Sequence, residues 1–311
     1  MDTAMLLHRQ SRLLARALPR AVFAVGNFDG LHRGHRAAID YARGVAREAG
    51  RALVLLTFEP HPRRIFAPEG VPFRLTPFGE KVYVARRLGV DGVLALRFSR
   101  RFADIGAEEF ARENLKGELD PAAVIIGENF RFGRDRAGDA EVLRGAGLDV
   151  RVFPSLCEGG EVISASLVRE RLLDGQPGAA AELLGREFHI AGHIRRGDGR
   201  GARELGCPTA NIDLHPWLIR PAFGIYAVRL AFGDDSERWF GGVASLGVNP
   251  MFPLEEPRLE VHLFGRWGDL VGRGVRVFLV KKIRDEGKFD SVHALKEQIQ
   301  HDISVAKSIL N

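Results

Sequence analysis

Five short apolar runs recur through the first half of the chain, at Ala21–Val25, Ala52–Phe58, Gly92–Leu96, Ala122–Gly127 and Asp149–Phe153. Each is nearly continuous in aliphatic residues, as expected of strands buried on both faces. Between them the apolar positions take helical spacing, over Arg36–Glu48, Phe78–Leu88, Glu108–Leu115 and Glu141–Gly145. Strands alternating with helices predict an α/β unit on a parallel sheet covered on both faces. The rhythm changes after a helical Ser166–Asp174 and the loop Gly175-Gln176-Pro177-Gly178. Runs at His189–Arg195, Ile225–Ala231, Phe240–Leu246, Leu259–Phe264 and Val275–Val280, punctuated by glycine and proline, predict an antiparallel barrel or sandwich. Val292, Leu295, Ile299, Ile303 and Val305 then lay an apolar stripe along a terminal helix, Ser291–Leu310. Two domains are expected, 1–184 and 185–311. The opening Met1–Arg20, with Arg9, Arg12, Arg16 and Arg20 among leucines, reads as an amphipathic surface helix leading into the first strand; a transit peptide is the other reading.

Composition narrows the class only a little. The chain has 311 residues, enough for two cores, and its 45% hydrophobic and 27% charged content is ordinary for a globular protein. No apolar run approaches the roughly 18–20 residues that span a bilayer, so no membrane role is expected. Cys157 and Cys207 stand alone, which argues against a disulfide framework or a zinc site and for the cytoplasm. The net charge of +5 comes from scattered arginines without an aromatic platform. A polyanionic small molecule or plain solvation explains it as well as nucleic acid would, and no nucleic-acid partner is expected. Nothing in the sequence reports oligomeric state.

The densest chemistry follows the first predicted strand: Gly26-Asn27-Phe28-Asp29-Gly30-Leu31-His32-Arg33-Gly34-His35. Two imidazoles three residues apart fall at a strand-to-helix turn, where backbone N–H groups and the helix dipole receive phosphate. Gly30 and Gly34 allow close backbone approach, and His32 and His35 can donate to anionic oxygens. Further blocks follow in order. Thr57-Phe58-Glu59-Pro60-His61-Pro62 ends the second strand, its prolines predicting an extended loop that brings His61 toward the same cleft. Phe73-Arg74-Leu75-Thr76 precedes a helix that Thr76 could cap. Gly127-Glu128-Asn129-Phe130-Arg131-Phe132-Gly133 follows the fourth strand, and Ile163-Ser164-Ala165-Ser166-Leu167-Val168-Arg169 is a hydroxyl-bearing helix start with a cation one turn in.

In this order the blocks resemble the HxGH nucleotidyltransferases, and among them the adenylyltransferase half of bacterial bifunctional riboflavin kinase/FAD synthetases. The resemblance implies a Rossmann-like domain in which Gly26, Asn27, Phe28, Asp29, Gly30, Gly34, Ser164, Ser166 and Arg169 bind ATP, His32 and His35 are catalytic, and His61 and Asn129 contact the flavin. Ala165 and Ser166 stand where the family has Ser and Thr.

The second half resembles riboflavin kinase, a β-barrel with a C-terminal helix. Gly197-Asp198-Gly199-Arg200-Gly201-Ala202-Arg203-Glu204-Leu205-Gly206 is a glycine-rich loop running into Cys207-Pro208-Thr209-Ala210-Asn211. The likeness implies that Gly197, Gly201 and Arg203 bind ATP phosphates and that the hard oxygens of Thr209 and Asn211 hold Mg²⁺. It also implies Glu260 as general base toward the riboflavin 5′-hydroxyl, with Arg284 and Phe289 on the flavin. Ala202 is an extra residue in the loop. Gly265-Arg266-Trp267 replaces an Asp-Phe pattern, either altering the flavin rim or sitting on a tolerant hairpin tip. The implied function is phosphorylation of riboflavin to FMN followed by adenylylation of FMN to FAD with ATP. The alternative is FMN adenylyltransferase alone, with a kinase-like barrel that binds flavin but is weak or inactive.

Overall fold

A computed structural model of the chain describes residues 5–66, 70–197, 206–233, 238–248, 256–265 and 267–311. The chain divides into two compact units, one made of residues 1–71 and 76–165 and the other of residues 72–75 and 166–311.

The first unit is a six-stranded parallel sheet. In chain order its elements are β1 (Leu6–His8), α1 (Ser11–Ala17), β2 (Val22–Val25), α2 (Arg33–Glu48), β3 (Leu53–Glu59), α3 (Pro62–Phe66), α4 (Phe78–Arg87), β4 (Gly92–Arg97), α5 (Arg100–Ala103) and α6 (Ala107–Glu109). The last of these runs into a π-helix, Phe110–Leu119, followed by β5 (Ala123–Gly127), α7 (Ala140–Gly145), β6 (Val150–Phe153) and a small hairpin, β7 (Cys157–Glu158) and β8 (Glu161–Val162). The sheet order is β1-β4-β3-β2-β5-β6. Its direction of progression reverses between β2 and β5, and in such sheets ligands bind at the carboxyl ends beside that reversal. All four β2 residues are buried. Phe23 and Val25 join a core with Leu56, Phe58 and Phe110 on one face, while Val22 and Ala24 join Ile39, Leu53 and Leu55 on the other. Burial on both faces is why the sequence shows an unbroken apolar run rather than alternation.

Three expectations need correction. The opening segment is an edge strand and a seven-residue helix, not one amphipathic surface helix. Leu6 and Leu7 pair with Gly92 and Val93, and Leu14 is wholly buried, so sheet pairing outweighs the weak helical pattern. The Pro60–Pro62 stretch does not remain extended: Pro62 opens α3, where a missing N–H costs nothing. The helix expected to end at Leu115 continues to Leu119, because π spacing brings Phe110, Ala111, Leu115 and Leu119 all into the core.

The second unit opens with most of α8 (Ala165–Leu173) and α9 (Pro177–Leu184). The stretch read as a loop at Gly175–Gly178 thus ends at Pro177, which starts α9. Six antiparallel strands follow: β9 (His189–Arg195), β10 (Ala210–Ile212), β11 (Gly224–Phe232), β12 (Phe240–Gly247), β13 (Arg258–Leu263) and β14 (Gly274–Arg284). They close as β10-β13-β12-β11-β14-β9, which resolves the barrel-or-sandwich alternative for a barrel. Closure leaves no unpaired sheet edge. Strand β10 escaped the sequence pattern because it is three residues long with a polar centre. Tyr226, Val228, Leu230, Leu259 and Val261 are fully buried within the barrel. The terminal helix α10 (Val292–Leu310) packs Ile303 and Ala306 against Ala227 and Val243 on its outside. Arg284 of β14 clamps that helix, its Nη2 2.7 Å from Asp302 Oδ2 and its Nε 3.0 Å from Oδ1. Asp302 is buried. The short segment 72–75 is stitched onto this unit, with Arg74 N donating to Trp217 O at 2.7 Å and Ile219 N to Arg74 O at 2.8 Å.

A fragment beginning at Leu184 is expected to fold as a barrel by circular dichroism. One beginning at Ser166 keeps the buried Leu172 and Ala180 and is expected to melt higher. A buried leucine alone is worth about 2–5 kcal/mol, so the melting difference should be several degrees or more.

Candidate functional sites

In the first unit the chain leaves β2 through a loop that no ordinary turn allows. Phe28 (φ 48°), Gly30 (φ 84°) and Leu31 (φ 44°) all lie in the left-handed region, costly for the two side-chain-bearing residues. Burial of the Phe28 and Leu31 side chains offsets that cost. The loop is also clipped from outside. Asp29 Oδ1 accepts from Thr76 N at 3.1 Å, and Gly30 N donates to Thr76 Oγ1 at 3.0 Å. Thr76 therefore does not cap α4, whose N-cap is Pro77. Asp29 is buried as the partner of this clip.

The loop delivers two histidines. His32 is the N-cap residue of α2, and its ring stacks on that of His35 with centroids 3.7 Å apart and planes 25° apart. Phe28 meets His35 edge-on at 5.3 Å. A side chain at Gly34 would come within 3.2 Å of the His32 ring and 3.3 Å of the Ile163 carbonyl, so glycine is what lets Ile163 and Ser164 lie against the helix start. A side chain at Gly26 would make only ordinary contact with Phe28. Burial, His32 and the Lys81 ammonium together hold His35 well below the usual imidazole range, so it is neutral at neutral pH. Its Nδ1 is buried with no hydrogen-bond partner among the described residues.

Beside this loop is a cavity of about 680 Å³, lined by Asn27, His61, Asn129 and a group of phenylalanines. Phe58, Phe66, Phe98, Phe102, Phe110, Phe130 and Phe132 form its apolar wall, and Arg63, Arg131, Arg134 and Arg136 add cations. Phe130 and Phe132 lie nearly parallel, 5.8 Å apart. Phe132 is held by paired backbone bonds with Gly138 at 3.1 and 2.8 Å, and a Cβ at Gly138 would strike its ring at 2.7 Å. His61 is buried, and its Nδ1 accepts from Arg63 N at 3.1 Å, which leaves the proton of the neutral ring on Nε2. Asn129 Nδ2 lies 3.4 Å from Ser155 Oγ. The size and the apolar wall with few polar groups suit a planar heteroaromatic ligand. Sequence reasoning found Phe130 and Phe132 but not the phenylalanines contributed by α3, α5 and the π-helix, which belong to no motif.

Ser166 and Arg169 lie on α8. Ser166 is exposed, and Arg169 Nε donates to Phe73 O at 2.7 Å with its guanidinium over the Phe73 ring at 5.9 Å.

In the second unit the implied kinase residues fall on one row across the strands. Asn211 of β10 pairs with Glu260 of β13, and Glu260 pairs with Ser245 of β12. Partners in register share a face, so the three side chains stand side by side. Asn211 is packed onto Gly197, where any Cβ would lie 2.1 Å from Asn211 Nδ2. Asn211 Oδ1 is buried with no hydrogen-bond partner among the described residues, and Thr209 is exposed two residues earlier. An orphaned neutral oxygen beside a hydroxyl is a donor set that fits a hard cation. His262 Nδ1 lies 2.9 Å from Pro208 O, tying β13 to this segment. Gly201, Arg203 and Ala202 lie outside the described residues.

Arg284 is engaged by Asp302 and stacks over Phe289 at 5.6 Å. A carboxylate that no motif reading found stands nearby. Glu286 Oε2 accepts from Val248 N at 3.1 Å, and its Oε1 lies 3.4 Å from Ser245 Oγ. A side chain at Gly247 would collide with it at 2.1 Å. Its only sequence signal was its place between the Ile283-Arg284 and Lys288-Phe289 blocks.

Comparison with known proteins places both halves. The family model described as FAD synthetase matches residues 15–167, and that described as riboflavin kinase matches residues 184–310. The bifunctional riboflavin kinase/FMN adenylyltransferase of Escherichia coli K12 is 40% identical over 92% of this chain and 91% of its own. That of Haemophilus influenzae is 35% identical over 95% and 96%. A crystal structure described as a macrolide-efflux protein from Streptococcus pneumoniae superposes with a TM-score of 0.83 at 30% identity, covering 97% of this chain and 98% of that one. Among the described residues no helix is long and apolar enough to cross a membrane.

The His35 environment has a measurable consequence. Its ring resists protonation when folded but takes a proton near the ordinary value of 6.5 when unfolded. Between those limits the unfolded chain binds more protons, so stability is full above pH 6.5 and falls as pH drops toward the folded value. His35→Gln should flatten this loss between roughly pH 6.5 and 5, read as the urea midpoint of the first unit's transition. An unchanged slope would show that His35 is not the group responsible.

Proposed function

The chain belongs to the bacterial bifunctional riboflavin kinase/FMN adenylyltransferase family, and we propose that its two units run those reactions in turn. The barrel transfers a phosphoryl group from ATP to riboflavin, giving FMN and ADP. The first unit then joins FMN to the adenylyl group of a second ATP, giving FAD and pyrophosphate. The observation that carries the reading is the pair of stacked histidines at the start of α2, beside a cavity of flavin size.

Adenylyl transfer needs no protein nucleophile, because the FMN phosphate itself attacks the α-phosphorus. The protein's part is positioning and charge stabilisation. The loop from Gly26 to Gly34 presents backbone N–H groups at the positive end of α2. His32 and His35 add ring N–H donors toward the oxygens that gain charge as pyrophosphate leaves. His35 enters as a neutral donor, so it orients the phosphate without trapping it as an ion pair. The phenylalanine-lined cavity takes the flavin ring, with His61 and Asn129 at its polar edge. Ser164, Ser166 and Arg169 are proposed partners of the ATP phosphates.

In the barrel, Glu260 takes the proton from the riboflavin 5′-hydroxyl as it attacks the γ-phosphorus. Asn211 Oδ1 and Thr209 Oγ1 are the oxygens suited to hold Mg²⁺ against the ATP phosphates, where it would neutralise charge on the transferring group. Gly197, Gly201 and Arg203 are proposed phosphate contacts, and Arg284 and Phe289 are proposed to border the flavin. We place the enzyme in the cytoplasm, where all these small-molecule substrates occur, with no nucleic acid or membrane partner.

Purified protein supplied with riboflavin, ATP and Mg²⁺ should yield FMN and then FAD by chromatography. FAD arising only when FMN is supplied would leave the adenylyltransferase alone. His32→Ala or His35→Ala should cut FAD formation by about 10²–10³ while riboflavin phosphorylation continues. Conversely, Glu260→Gln should lower FMN formation by roughly 10²–10⁴ and spare FAD synthesis from supplied FMN.

A further inference from the structure

One buried cation in the first unit enters the chemistry above only through its pull on the His35 ring. Lys81 of α4 is 1% exposed and stands on the helix face that also buries Val84 and Ala85. A lysine at such depth is held only where its charge is compensated. Its Nζ donates to Asn27 O at 2.8 Å, Thr57 Oγ1 at 3.0 Å and Glu59 Oε1 at 3.2 Å. The three acceptors are the first loop residue after Gly26 and two residues at the carboxyl end of β3. Thr57 Oγ1 donates to the same Asn27 carbonyl at 3.2 Å. Asn27 is thus pinned immediately before Phe28, the first residue forced to positive φ.

We propose that Lys81 is a positioning residue for adenylyl transfer: its ammonium fixes the Asn27 carbonyl, and through it the loop that carries His32 and His35. The proposal rests on the adenylyltransferase reading given above. Glu59 balances the lysine's charge across the clamp. The same ammonium bears on the His35 ring, which ties the clamp to the histidine pair. Lysine suits the task because three donors on a single flexible stem reach three acceptors on two strand ends.

The test uses the full-length protein carrying Lys81→Met, Thr57→Val or both. Lys81→Met should lower kcat for FAD formation about 10- to 100-fold, the scale of a small misplacement of reacting groups, with KM for FMN held within about threefold. Riboflavin phosphorylation by the same preparation should be unchanged, which reports that the protein remains folded. Because both side chains hold one carbonyl, the double variant should lose clearly less than the product of the two single losses. Imidazole NMR titration of His35 should show its ionisation moving up slightly in Lys81→Met, since burial and His32 still hold it down. This readout needs no turnover, so it stands even if the wild-type protein makes no FAD. An unmoved titration, kcat within twofold of wild type, or fully multiplicative losses would overturn the proposal. Should Lys81→Met fail to fold, Lys81→Met with Glu59→Gln removes the stranded carboxylate and is judged by the same measurements.

Discussion

Strand β2 is buried on both faces at the point where the sheet order reverses, and the first unit's chemistry depends on how the chain escapes from it. A helix must start within a few residues of the strand end for its N-terminus to face the crevice. Six residues, Gly26 to Leu31, make that turn, and they succeed only with three departures into left-handed backbone, at Phe28, Gly30 and Leu31. Strain of this kind persists where surroundings over-determine it. Here they do: the two strained side chains are buried, and Thr76, Thr57 and Lys81 hold the loop's polar groups. The stacked histidines are the outcome of that restraint. Their geometry is specified by packing beneath the loop, and Gly34 keeps space for it.

The barrel solves a different problem. A closed sheet of six short strands has its interior filled by side chains such as Tyr226, Leu230 and Leu259, so no ligand can sit inside. Chemistry has to be built on the outer face. The row proposed for it, Asn211, Glu260 and Ser245, draws one outward polar side chain from each of three neighbouring strands at a fixed separation. Part of the same outer surface is covered by α10, and the Arg284–Asp302 pair anchors the helix there. Removing Arg284 strips the buried Asp302 carboxylate of its cation, so the pair specifies where the helix docks as much as how firmly.

The sequence was legible where physics is local. Runs buried on both faces gave the five main strands of the first unit within a residue or two; four barrel strands were placed as closely, while the last runs four residues past the expected Val280, to Arg284. Edge and connecting elements were not: β1 and β10 are three residues each, too short for any period to register. Resemblance supplied the residues of the histidine block and the barrel row, but not what holds them. Lys81 reads in the sequence as one more surface lysine, and only the packing of α4 puts it among carbonyls and carboxylates. Glu286 is similar, distinguished by a glycine on another strand that leaves it room. Thr76 reads by sequence as a helix cap, and its clip on the loop follows only from the three-dimensional position of Asp29 and Gly30.

The altered stretch after β13 can be placed by the same register argument. Trp267 packs edge-on against Phe240 at 4.5 Å and lies 5.8 Å from Phe232, with its Nε1 donating to Phe264 O at 3.0 Å. Phe232 ends β11 and Phe240 begins β12, so this cluster closes the β11–β12 turn end of the barrel. Ser245, the register partner of Glu260, lies five residues further along β12, about 17 Å away at roughly 3.3 Å per residue. Glu286 and Arg284 belong to the Ser245 end as well. Arg273 stacks on Phe232 at 3.8 Å and completes an aromatic and cationic plug. The tryptophan therefore has a structural reason to be where it is, remote from the Asn211–Glu260 row. Arg266 lies outside the described residues. On this geometry Trp267 is neither a solvent-facing hairpin tip nor a neighbour of that row: it is a packing residue at the turn end of the barrel.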